Sequence, residues 1–232
     1  MKLHLAETYH SLKGEGLWTG VPMFFVRFAG CNVGRHASHD LVDVVPAGHE
    51  DTGVYTRGTT CCSWDHRFFG CDTDYVAKLS LDLADDQAVE NFFSQIWEQR
   101  VVLTGGEPMM QLGQFVRLLE LCKAHGKIPH VETSGTVMWD IAPFDAWIAC
   151  APKQGYKPQM LRRADEIKLL VDEQFDIGQV PLEVYDHDLV YLMPINTGRG
   201  FNDANYLKCH EILRQQPKWR LGEQMHKRWG VR

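Results

Sequence analysis

From residue 100 to residue 195 short apolar runs alternate with segments of helical period, and this alternation leaves few folds open to the chain. Val101-Val102-Leu103 reads as a short strand ending at Thr104-Gly105-Gly106. Leu112, Phe115, Val116, Leu119 and Cys122 then recur at the spacing of one helix face, and Gly126 supplies the stop. Further strands are expected over 128–132, 147–151, 166–171 and 189–193, and a last helix over 203–215, before Pro217. Upstream, the apolar run of residues 23–29 reads as a buried strand closed by Gly30, and residues 87–99 read as a helix. Strands interleaved with helices imply parallel pairing through right-handed crossovers. The expected class is α/β, layered or barrel-like, with ligands at the C-terminal ends of the strands.

The 232 residues fit one domain, spanning 1–232, and no internal repeat or low-complexity tract divides them. Residues 32–60 form a polar stretch rich in His, Asp, Gly and Thr with little periodicity, and 32–70 is read as a long loop insertion. The net charge of −6, from 24 basic against 30 acidic residues, argues against a nucleic-acid partner, which needs clustered positive charge. Lys218, Arg220, Lys227, Arg228 and Arg232 make a local basic stretch that reads as solvated surface. The N-terminal residues carry no long apolar run, and no window approaches the about 18 apolar residues a membrane span requires. A cytoplasmic location is expected, where thiols stay reduced and clustered cysteines hold metal more often than they pair.

Seven cysteines fit a disulfide framework poorly. Cys122, Cys150 and Cys209 fall inside periodic elements and are read as core. Cys31 follows the first strong strand, and Cys61, Cys62 and Cys71 lie across the loop. Three such cysteines can ligate three irons of a cubane cluster and leave the fourth iron open. Spacing alone does not separate a cluster from a zinc site completed by His36, His39, His49 or His66, because no compact C-x-x-C is present.

At this point the residues carry a family likeness. Gly30-Cys31-Asn32-Val33-Gly34, closed by Cys71-Asp72-Thr73-Asp74-Tyr75, resembles the cluster loop of the 7-carboxy-7-deazaguanine synthases, members of the radical S-adenosylmethionine (SAM) superfamily. The spacing departs from the short family pattern, with 29 residues between Cys31 and Cys61 and nine between Cys61 and Cys71. The run Cys61-Cys62-Ser63-Trp64-Asp65 resembles family variants in which the middle cysteine precedes Trp-Asp; it favours Cys61 as second ligand, with Cys62 as the alternative. Thr104-Gly105-Gly106-Glu107-Pro108 resembles the superfamily turn that meets the amino end of SAM, where glycines admit backbone carbonyls and Glu107 adds charge. Glu132-Thr133-Ser134-Gly135 is similar to the family turn whose carboxylate approaches the SAM ribose, and Ala151-Pro152-Lys153 to the family's Ser-Pro-Lys, without its hydroxyl. Asp72 joins the cofactor set by the same likeness.

The run Leu12-Lys13-Gly14-Glu15-Gly16 resembles the pterin-binding segment, with Lys13 standing where glutamine is common. The likeness implies that Leu12, Lys13, Gly14, Glu15, Thr104, His226 and the Arg232 carboxylate meet the substrate, and that Arg27 meets its carboxylate. Arg220-Leu221-Gly222-Glu223-Gln224-Met225-His226-Lys227 is similar to the family's C-terminal signature, with Met225 in place of threonine. Without the likeness, Arg27 also reads as one end of a structural salt bridge. Implied with the family are a shortened TIM-like barrel of about six parallel strands, a 4Fe-4S cluster, SAM, a magnesium ion at Thr73, a homodimer and an electron donor such as a flavodoxin or ferredoxin. The implied reaction converts 6-carboxy-5,6,7,8-tetrahydropterin to 7-carboxy-7-deazaguanine with loss of ammonia, started by hydrogen abstraction at C6. The alternatives are a radical SAM activating or maturation enzyme, which would want extra cluster cysteines or a peptide-binding extension, and a zinc-stabilised binding module.

Overall fold

The computed structural model describes residues 1–33, 35–36, 59–71, 73, 75–138, 146–196 and 200–231, with the backbone alone at 35–36, 59–60, 62 and 68–70. Two antiparallel strands open the chain, β1 (Lys2–Leu12) and β2 (Pro22–Phe28). A small antiparallel sheet follows, of β3 (Arg35–His36), β4 (Thr59–Cys62) and β5 (Phe68–Gly70), so the segment expected to be loop carries paired backbone. Then come β6 (Leu79–Asp82), α1 (Asp86–Phe93), β7 (Arg100–Gly105), α2 (Leu112–Ala124), β8 (Ile128–Thr133), β9 (Trp147–Cys150), α3 (Pro158–Arg163) and β10 (Glu166–Val171). The chain closes with α4 (Leu182–Tyr185), β11 (Val190–Pro194), α5 (Asp203–Gln215), β12 (Arg220–Leu221) and α6 (Met225–Trp229).

The main sheet has nine strands in the order β12-β11-β10-β9-β8-β7-β2-β1-β6, and all pairs from β2 to β12 are parallel. That makes seven parallel strands where about six were expected; the extra one, β12, is only two residues long and carries no pattern to read. The strand β1 was also not anticipated, although Leu3 and Leu5 alternate into the core while Lys2 and His4 face out. The expected helix over 87–99 stops at Phe93, because Lys127 Nζ takes the carbonyls of Ile96 (2.6 Å) and Glu98 (3.0 Å) in the turn that follows. The helix Asp203–Gln215 forms as expected but is not the last, since α6 follows it. Gly126 ends α2 with φ of 67°.

Alternate residues of the parallel strands meet two unlike environments. Val101, Leu103, Val131, Ile148, Ile167, Leu169, Val190 and Leu192 bury against the helices, through Phe115, Leu118, Leu119, Leu161 and Ile212. Each such aliphatic chain contributes roughly 1.5–3 kcal/mol by leaving water. Cys122, Cys150 and Cys209 belong to this layer, and burial pushes each thiol up to about 12, as expected for inert core residues. The opposite face presents Arg27, Thr104, His130, Glu132, Glu166 and Lys168 at intervening positions. That inversion puts charge on the face turned away from the apolar layer. No helix among the described residues is long and apolar enough to cross a membrane.

Candidate active site

The C-terminal ends of β2 and β7 are joined by sterics that only glycine permits. A Cβ on Gly105 would lie 2.4 Å from the Phe28 carbonyl oxygen. One on Gly106 would lie 2.1 Å from the Gly30 oxygen and 2.5 Å from Cys31 Cβ. The Glu107 amide donates to the Gly30 oxygen at 3.0 Å. The Gly-Gly turn therefore rests on the first cysteine with no side chain between them.

Two further backbone ties bring the other cysteines toward this end of the sheet. Gly30 N–H donates to the Tyr75 oxygen at 3.0 Å, which draws in the segment that carries Cys71. In the small sheet Thr60 faces Gly70 and Cys61 faces Phe69, so Cys61 and Cys71 share one hairpin. That hairpin is anchored to the main sheet: Ser63 bridges to Lys153, Trp64 packs edge-on against Phe175, and Arg67 binds Asp65, Asp172 and the Leu170 carbonyl. Cys31, Cys61 and Cys71 are all partly exposed, unlike the three core cysteines. No set of three His, Cys, Asp or Glu side chains among the described residues closes around a common ion position. The segments are gathered. The donor type suits a cluster: Cys31 stands against a turn stripped of side chains, and Cys61 and Cys71 are the other partly exposed thiols among the described residues. The Cys62 side chain, Asp72, Arg232 and most of the His-rich stretch lie outside the described residues.

Glu107 is fully buried, and its carboxylate faces the turn after β8 rather than the open end of the sheet. It accepts from Thr133 Oγ1 at 3.0 Å, from the Ser134 amide at 2.8 Å, from the Ser134 hydroxyl, and from the Met109 amide at 3.3 Å. Burial pushes its carboxyl above the usual range, against the pull of those donors. Its oxygens are taken, so its part in the turn is to lock β7 to β8.

A charged network covers the polar face beside it. Lys13 Nζ lies 2.7 Å from Glu132 Oε1. Lys168 Nζ donates to Glu15 Oε2 at 2.8 Å and also to Glu132 Oε2. Gln224 Nε2 donates to Glu15 Oε1 at 2.8 Å, and Lys227 Nζ to Gln224 Oε1 at 2.7 Å. Burial works against both carboxylates, yet Lys168 and Lys13, with His226 at Glu15, hold Glu15 well below the usual range and Glu132 also below it. Glu166 differs: burial raises it, and its Oε1 has no hydrogen-bond partner among the described residues. The N-terminal loop and the chain end meet here. The Met225 amide donates to the Gly14 oxygen at 2.9 Å, and a Cβ on Gly14 would strike the His226 ring at 2.2 Å.

Arg27 pairs with Glu7, its cross-strand partner (2.9 Å), and with Tyr9 Oη (3.0 Å), which is the salt-bridge reading of that residue. Its remaining edge reaches Thr73 Oγ1 at 3.4 Å, so the two residues expected near a substrate carboxylate adjoin. Leu12 ends β1 opposite Pro22. Ala151 and Lys153 donate their amides to the oxygens of Thr133 (2.9 Å) and Ser134 (3.1 Å), which places Ala151-Pro152-Lys153 against the Glu132 turn.

No family model matches the chain. A 7-carboxy-7-deazaguanine synthase of Bacteroides thetaiotaomicron is 30% identical over 232 residues, covering all of both chains. The chain belongs to the 7-carboxy-7-deazaguanine synthase family. A synthase of Bradyrhizobium diazoefficiens is likewise 30% identical over 235 residues with full coverage of both, and one of Bordetella pertussis is 28% identical. Among solved structures, QueE from Escherichia coli matches with a TM-score of 0.62 and 25% identity, over 97% of this chain and 94% of that one.

Several residues that tie these strand ends together escaped the sequence reading. Lys168 is the clearest, and a signal existed: a lysine between Ile167 and Leu169 is a charge inside an apolar strand, which demands a buried partner. Gln224 and Ser134 sat inside quoted motifs without a role of their own. The anchoring of Arg67 by Asp172, 105 residues later, left no local trace.

Proposed function

We propose that this synthase acts as a radical SAM enzyme, converting 6-carboxy-5,6,7,8-tetrahydropterin to 7-carboxy-7-deazaguanine with loss of ammonia in queuosine-type biosynthesis. The observation that carries the proposal is the seating of the Gly105-Gly106 turn on Cys31, with the Glu15–Lys168–Glu132 network on the adjoining strands. Cys31, Cys61 (or Cys62) and Cys71 would hold a 4Fe-4S cluster. Bound there with SAM, it supplies the one-electron chemistry of the reaction.

The chain's own residues bind, orient and exclude water. Carbonyls at Gly105 and Gly106 take the SAM amine, while Glu107 keeps the turn rigid from behind. Glu132, Asp72 and the Ala151-Pro152-Lys153 segment line the rest of the cofactor. Glu15, with backbone groups of Leu12 and Gly14, takes the guanidine-like edge of the pterin; an ionised carboxylate suits two parallel N–H donors. Arg27 and Thr73 face the substrate carboxylate, and an oxygen-rich site there suits magnesium. Thr104, Lys13, His226 and Arg232 complete the substrate's surroundings. The same proposal includes a single radical SAM domain curled as a partial barrel, a homodimer, a flavodoxin- or ferredoxin-type donor and a cytoplasmic location.

Anaerobic reconstitution should yield brown protein with about four irons. Incubation with SAM, reductant and the carboxylated tetrahydropterin should then release 7-carboxy-7-deazaguanine. Colourless protein with one zinc, or reconstituted protein that forms neither deazaguanine nor deoxyadenosine, overturns the proposal.

A further inference from the structure

Lys168 lies mid-strand in β10, and its side chain is 5% exposed. Its ammonium touches two carboxylates that arrive from opposite parts of the chain, Glu15 from the loop after β1 and Glu132 from β8. The other donors are divided between them. Lys13 touches Glu132, and Gln224 touches Glu15. Among the described residues Lys168 alone spans both.

Resting on the substrate and cofactor assignments above, we infer that Lys168 is a positioning residue that couples the pterin site to the SAM site by sharing one ammonium between Glu15 and Glu132. The electrostatics require such a bridge. The two carboxylates are largely withdrawn from solvent and repel each other, so each raises the cost of keeping the other charged. Glu166 adds a third acidic group from β10, and Lys13, His130, Cys150, His226 and Lys227 are the other titratable groups around the pair among the described residues. Without Lys168, the single ammonium of Lys13 is left to offset both carboxylates, paired with Glu132 and acting on Glu15 through space, while Gln224 offers Glu15 only a neutral amide. The pair then takes up a proton as pH falls, and Glu15 loses the charge that two N–H donors need.

The test uses the reconstituted holoenzyme, anaerobic and without reductant, titrated by calorimetry with 6-carboxypterin and separately with SAM. Wild type should bind 6-carboxypterin with nearly constant affinity between about pH 5.5 and 7.5, since both carboxylates stay ionised there. Lys168→Met should bind it at least about tenfold more weakly at the acid end, recovering as pH rises, and should also bind SAM more weakly. Lys168→Arg should keep the flat profile. If Lys168→Met does not fold, Lys168→Met/Glu132→Gln removes the opposing charge and should restore a flat profile. A flat, near-wild-type profile in Lys168→Met overturns the inference, as does a sloping one in the double variant. Failure of wild type to bind 6-carboxypterin at all would instead overturn the assignment of the site.

Discussion

Two acidic regions stand on neighbouring strands, one buried and one partly buried, and they solve the same problem differently. Glu107 is surrounded by hydroxyls and amides, and no cation among the described residues touches it. Glu15 and Glu132 are surrounded by ammonium groups. The carboxyl at Glu107 is pushed up, and those at Glu15 and Glu132 are held down. Dipolar donors fixed in the backbone make a rigid joint between two turns. Ammonium groups on long side chains make a charged lining of ion pairs. The first carboxylate is held by dipoles and the second pair by charges, and that difference in solvation sets their opposite shifts.

That contrast can be broken by mutation. The largest stability loss should come from Lys168→Met, because removing one partner of a buried pair costs roughly 3–5 kcal/mol; urea unfolding of the apoprotein measures it. Glu107→Ala should cost less, about 2–3 kcal/mol, by leaving the Ser134 and Thr133 donors without an acceptor. If the order reverses, the ionic network is not the more costly of the two to disturb.

The pH slopes should also oppose each other. Glu15 and Glu132 have folded-state values below the unfolded carboxylate value of about 4.3, so their stabilisation is complete above it and lost as pH falls. Glu15→Gln should therefore lose less stability than wild type on acidification from neutral pH. Glu107 has its folded-state value above the unfolded one, so its contribution is lost as pH rises through that range. Relative to wild type, Glu107→Gln should gain as pH rises, in unfolding series on both variants. The smallest effect belongs to the exposed Arg162–Glu183 pair at 2.9 Å, where Arg162→Ala should shift stability by under about 1 kcal/mol.

Much of the fold was legible because it rests on local pattern. Apolar runs such as Val101–Leu103 and Ile167–Val171 announce parallel strands, and the spacing through Leu112–Ala124 announces the helix between two of them. The glycines at 105 and 106 announced a turn with close backbone approach. The strand β12 stayed hidden because two residues carry no period, and β1 because its antiparallel alternation is weak among His, Glu and Thr.

The chain by itself determined which residues are present at the strand ends, and the order in which they arrive, because those are matters of spacing along one polymer. Only the tertiary structure decided their partners. Glu107 reads as a ligand in its tetrapeptide and proves to be spent on Ser134 and Thr133; Lys168 reads as one residue of an apolar strand and proves to join Glu15, 153 positions away, to Glu132. A carboxylate's role depends on which dipoles and charges surround it in space, and distances of that kind are set by packing rather than by sequence separation.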